Sequence, residues 1–73
     1  MNGTQYLVNQ LIGQTVDHLI RRVNDGVSEQ AENLGMMAND YIRYVWDENY
    51  KQLEGVYNFD ELSDMAVAQY LLL

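Results

Sequence analysis

The residues best equipped for chemistry are the carboxylates Asp47-Glu48, Asp60-Glu61 and Asp64. A carboxylate pair can divide acid and base roles when burial separates its pKa values. The spacing here predicts plainer work. Asp60 and Glu61 fall in the first turn of a helix, where negative charge suits the helix dipole. Asp47 falls in a stripe of alternating charge. No nucleophile, no histidine base beside a carboxylate and no glycine-rich phosphate loop accompanies them. The chain reads as a non-enzyme.

Cysteine is absent, so no thiolate can hold zinc and no disulfide can form. The single histidine, His18, excludes a His-rich metal site, and neither a metal nor a cofactor is expected. With Arg21 and Arg22 it makes a small basic patch that could touch phosphate. Such residues are also common in the last turn of a helix, where positive charge is favoured. His18 itself reads as a solvated side chain.

Charge divides the chain. Residues 24–73 hold ten carboxylates against Arg43 and Lys51, a net of −8, and residues 1–23 are net +1, giving −7 in all. Six of the eight aromatics lie between positions 41 and 59. An acidic surface repels phosphate, so nucleic acid and anionic membranes are disfavoured as partners. An acidic, aromatic surface instead suits a protein with a basic surface. Asp40, Tyr44, Trp46, Asp47, Tyr50, Glu54 and Tyr57 are the candidate partner-binding residues. The composition matches small acidic helical proteins of phages and mobile elements that inhibit or regulate basic or nucleic-acid-handling proteins.

The elements that must position these groups are helical. Seventy-three residues predict one domain over 1–73, and the absence of proline favours unbroken helices. The first helix is predicted over about 5–24, with Val8, Ile12, Val16, Leu19 and Val23 on one face and Leu11 and Ile20 beside it. Thr4 is its expected cap and Asn24-Asp25-Gly26 its stop. The second is predicted over about 28–54, from Ser28 to Gly55, with Leu34, Ala38, Tyr41 and Val45 inward. Its outer stripe, Asp40, Arg43, Asp47, Lys51 and Glu54, predicts a ladder of ion pairs. Gly35 can divide this helix. A further stripe, Ile42, Trp46, Tyr50 and Leu53, is expected either to meet the third helix or to anchor a partner. The third helix is predicted over about 58–72. It opens with a capping box, Asn58-Phe59-Asp60-Glu61, and places Phe59, Leu62, Ala66, Tyr70 and Leu73 on one side.

The expected fold is thus all-α, a small three-helix bundle. A core this small supplies about 3–5 kcal/mol, and self-association is the remaining remedy, so a homodimer is expected. No run approaches the length of a membrane span, and residues 1–4 lack the basic start of a secretory leader. A cytoplasmic protein is the expectation.

Residues 30–45 carry a different signal. Ala31, Leu34, Gly35 and Met36, followed by Tyr41, Ile42 and Arg43, resemble the inter-helix segment of ribbon–helix–helix proteins. That resemblance implies a glycine that closes the first of two helices. It also implies a dimer whose paired N-terminal strands read the DNA major groove. Residues 18–23 would supply the strand, and His18, Arg21 and Arg22 the nucleic-acid contacts. A DNA-binding regulator or antitoxin is accordingly the alternative reading.

Overall fold

A computed structural model describes residues 3–73. The one-domain expectation over 1–73 and the reading of residues 1–4 extend to residues 1 and 2, which lie outside the described residues. The described residues form three α-helices and one 3₁₀ helix: α1 Gly3–Asn24, α2 Ala31–Val45, the 3₁₀ helix Glu48–Leu53 and α3 Phe59–Leu71. No strand occurs among them. The three α-helices contact one another pairwise, and the 3₁₀ helix packs on α1.

Helix α1 buries Val8, Leu11, Ile12, Thr15, Val16 and Leu19, the recurrence its apolar spacing predicts. Its stop is a Schellman motif. Gly26 N–H donates to the Val23 carbonyl at 2.9 Å and Val27 N–H to the Arg22 carbonyl at 3.1 Å. Gly26 carries the motif's left-handed residue at φ 99°, a region where a Cβ is costly. Two expectations fail on this helix. Thr4 lies inside it and is not the cap, because the helix already includes Gly3. Residues 18–23 are helical, since the 3.6-residue period of the apolar side chains runs through them and buries Leu19.

The second predicted helix is two elements. Gly35 does not divide it and lies within α2; the break comes at Trp46, whose ψ of 126° leaves the helical region. The reason is local. Asp47 Oδ1 accepts a hydrogen bond from Asn49 N–H at 2.9 Å and caps the 3₁₀ helix. Asp and Asn side chains offer the backbone partners that compete with helix continuation. The turn re-aims the chain so that Tyr50 and Leu53 enter the core at 6% and 0% exposure. An unbroken helix would have turned Glu48, Asn49 and Gln52 towards that core. The charge ladder over 40–54 therefore does not form. Lys51 pairs with Glu48 at 3.2 Å, and Arg43 Nε donates to Asn39 Oδ1 at 2.7 Å. At the α2 start, Ser28 is not the cap residue. Gln30 is, without a side-chain cap bond, while the Ser28 carbonyl accepts from Asn33 Nδ2 at 2.8 Å.

Gly55, at φ 81°, turns the chain into α3. The predicted capping box is present: Glu61 N–H donates to Asn58 Oδ1 at 2.8 Å, and Asn58 N–H to Glu61 Oε1 at 3.2 Å. Leu62, Ser63 and Ala66 are buried from this helix. Leu73, expected on its inner side, lies beyond the helix end and is 81% exposed. The core joins Leu11, Ile12 and Leu19 of α1 to Leu34, Ala38 and Ile42 of α2, Leu53, and Leu62 and Ala66 of α3. Two hydroxyls are buried with it. Thr15 and Ser63 each donate to the carbonyl four residues earlier, Leu11 and Phe59, at 2.7 Å, which removes the cost of burying them.

Candidate functional site

The outward surface of α2, with the elements on either side of it, carries the candidate residues. They fall into separate hollows. At the C-terminal end of α2, Trp46 is half-buried and meets Phe59 edge-on at 5.0 Å between ring centroids, with Tyr50 at 5.6 Å. The Arg43 guanidinium lies over the other ring of that pair, 4.4 Å from the Phe59 centroid. Trp46, Glu54, Tyr57, Asn58 and Phe59 line a hollow of about 310 Å³. Helix α3 thus covers part of Trp46 through Phe59, as one of the two expectations for this stripe had it.

Towards α1, His18, Arg22, Met37, Asp40, Tyr41 and Tyr44 line a second hollow of about 290 Å³. Its floor is a stacked pair, His18 on Tyr41, with centroids 4.3 Å apart and planes 18° from parallel. The solvated histidine expected from the sequence is therefore half-buried. Burial first, and then the nearby Arg22 and Arg21, hold its pKa below the usual histidine value. The neutral ring predominates at neutral pH and adds no charge to the basic patch. Arg21 is paired with Asp17 at 3.0 Å. Of the three candidate nucleic-acid residues, Arg22 alone remains an ion without a counter-ion among the described residues.

Towards α3, a groove of about 510 Å³ is lined by Gly35, Met36, Asn39, Asp40, Asp60, Ser63 and Asp64. Asn39 bridges it at one point, donating to Asp60 Oδ1 at 3.2 Å while accepting from Arg43. Met36 is 61% exposed on its α2 wall. No lysine or arginine lines it. Among the described residues no three histidines or carboxylates are gathered so as to hold a metal ion.

The seven candidate partner residues do not make one surface. Trp46, Glu54 and Tyr57 share one hollow, and Asp40 and Tyr44 another; Tyr44 is 85% exposed. Asp47 serves as a cap and, with Tyr50, lines a third hollow against Tyr6, Leu7 and Gln10 of α1. Tyr50 is a core residue whose phenol is held above the usual tyrosine pKa by burial and then by the Asp47 and Tyr41 fields. Sequence reasoning passed over Met36, Asp60 and Asp64 as surface lining. The signal available was the spacing of four: residues 36 and 40, and residues 60 and 64, each stack one helical turn apart.

Comparison with known proteins finds no matching family, no matching curated protein and no matching solved structure. No helix among the described residues is long and apolar enough to cross a membrane.

Proposed function

We propose that this chain is a non-enzymatic binding protein that inhibits or regulates a basic or nucleic-acid-handling protein, in the manner of small inhibitors from phages and mobile elements. One observation carries the reading: the acidic half is left uncompensated. Among the described residues only two ion pairs occur, and only one of them, Lys51 with Glu48, uses a carboxylate from the acidic half. Asp25, Glu32, Asp40, Glu54 and Asp64 are exposed and pair with no cation among the described residues. Unneutralised charge of this density attracts a surface of opposite sign and speeds encounter with it.

A cytoplasmic, homodimeric form belongs to the same proposal, and sedimentation equilibrium reads the oligomeric state. The ribbon–helix–helix alternative needs a strand at 18–23, where α1 stands, and cations that this surface largely lacks. The proposal is tested by capture from the native host at low and high salt, with Asp40→Lys/Asp64→Lys as the control. A basic protein retained at low salt by the natural chain and lost with the control supports it. Equal retention by both, or retention of nothing basic, refutes it.

A further inference from the structure

The groove between α2 and α3 combines two features that charge alone does not explain. Its walls pair an exposed apolar side chain, Met36, with three carboxylates, Asp40, Asp60 and Asp64, and no cation. Methionine is a flexible, polarisable side chain suited to varied apolar partners. The second feature is Gly35, which lies inside α2 and lines the same groove. A glycine in a helix interior is unfavourable relative to alanine. Nothing inside the molecule requires one here. Its φ is not in the left-handed region, and a Cβ built on it meets no described atom within 4 Å apart from its own neighbours and the adjoining helix backbone. The notch it leaves in the groove wall is open to the outside. It lets a foreign backbone or side chain approach α2 more closely than any other residue would.

From this we infer that the α2/α3 groove is the docking site for a basic amphipathic helix of the partner protein. This rests on the proposed function and names its site and ligand class. An amphipathic helix presents apolar side chains along one stripe and charged ones beside it. Laid in the groove, its apolar stripe meets Met36 and the notch at Gly35. Its lysines or arginines, flanking that stripe, meet Asp40 on one wall and Asp60 and Asp64 on the other. The complementarity is of sign and of polarity together. A flexible basic tail would satisfy the carboxylates but leave Met36 and the glycine notch without use.

The probe is a labelled synthetic peptide of leucine and lysine, about 18 residues or five helical turns long, with its apolar residues at helical spacing. A peptide of the same composition in scrambled order is the comparison. Fluorescence anisotropy reads affinity, and circular dichroism of each variant confirms its fold. The amphipathic peptide is expected to bind at least about tenfold more tightly than the scrambled one, a difference of about 1.4 kcal/mol. Met36→Glu and Asp64→Lys, both at exposed positions, should each weaken it about tenfold or more. Gly35→Ala should raise the melting temperature and yet weaken binding. Gly13, exposed inside α1 with equally open space around it, is its internal control: Gly13→Ala should stabilise the fold and leave binding unchanged. Equal binding of the two peptides, or full affinity in Gly35→Ala and Met36→Glu, overturns the assignment. So does self-association that Met36→Glu abolishes, which would make the occupant a second copy. The same variants in the host capture separate this site from the broader function. A basic partner still captured by Met36→Glu and Gly35→Ala leaves the function standing and removes the groove; capture of no basic partner removes the function.

Discussion

Trp46 and His18 show how one contact changes the meaning of a residue. Trp46 reads as an anchor in the sequence, yet Phe59 and Tyr50 already occupy two sides of its ring. Truncating a fully buried tryptophan costs about 3–5 kcal/mol, so Trp46→Ala, at a half-buried site, should cost about 2–3 kcal/mol in a thermal or denaturant melt. A melt shifted by less than about 1 kcal/mol would return Trp46 to the list of partner anchors. His18 offers a pH test. Its folded-state pKa is lowered, so the unfolded chain takes up the proton more readily. The stabilisation from the neutral, stacked ring is complete above the ordinary value of 6.5 and is lost as pH falls below it towards the lowered folded value. His18→Phe keeps the stack and removes the titration. The stability difference between wild type and this variant should therefore move against the wild type between pH 8 and pH 5. A difference that stays flat across that interval would show that burial does not hold the ring neutral.

Helix ends are set by individual side chains. Asn58 and Glu61 satisfy each other's backbone at the start of α3, and the Asp47 carboxylate accepts from Asn49 N–H at the start of the 3₁₀ helix. Losing such a cap costs about 1 kcal/mol. Asn58→Ala should lower stability by that amount. Asp47→Ala should do likewise and, because it removes the competitor that stops α2, should also let the helix extend towards Asn49. Amide exchange at residues 46–49 reads this directly: slower exchange in Asp47→Ala supports the account, and unchanged exchange refutes it. The capping box was legible because it is a four-residue pattern with one meaning. The break at Trp46 was not. Ile42, Trp46, Tyr50 and Leu53 sit at spacings of four, four and three, which satisfy a helical period whether or not the helix is continuous. The Asp47-Glu48-Asn49 run is the available clue, but Asp47 also fits the spacing of the charged stripe Asp40, Arg43, Asp47, Lys51 and Glu54.

At the scale of the molecule, three helices and a short turn share one small core, with Leu11, Leu19, Leu34, Ile42, Leu53 and Leu62 each fully buried. Large-to-small changes in such a core cost about 2–5 kcal/mol, against about 3–5 kcal/mol for the stability of a domain this size. Leu53→Ala should thus leave much of the chain unfolded at room temperature, seen as loss of helical circular dichroism. A folded variant with a melt near that of the natural chain would show that the 3₁₀ helix is peripheral to the core. Leu53 lies in the 3₁₀ helix that packs on α1, so the same measurement reports how firmly the segment between α2 and α3 is held to the core.

The sequence by itself determined what depends on near neighbours. The all-helical character, the stop of α1 at Gly26, the glycine turn at Gly55, the apolar face of α1, the start of α3 and the acidic excess after position 24 are set by residues within a few positions of one another. Periodicity and local hydrogen bonds carry that information in full. Tertiary structure decided what depends on meetings between distant residues. It stacked His18 on Tyr41 across α1 and α2, and sent Tyr50 inward, away from the partner surface the sequence assigned it. By joining residues 35–40 to residues 60–64, it also made one groove from two stretches that had no evident relation. Those outcomes follow from how three apolar faces close on a common core, and that closure selects, among the periods the sequence permits, one that leaves no polar side chain among the described residues buried without a partner.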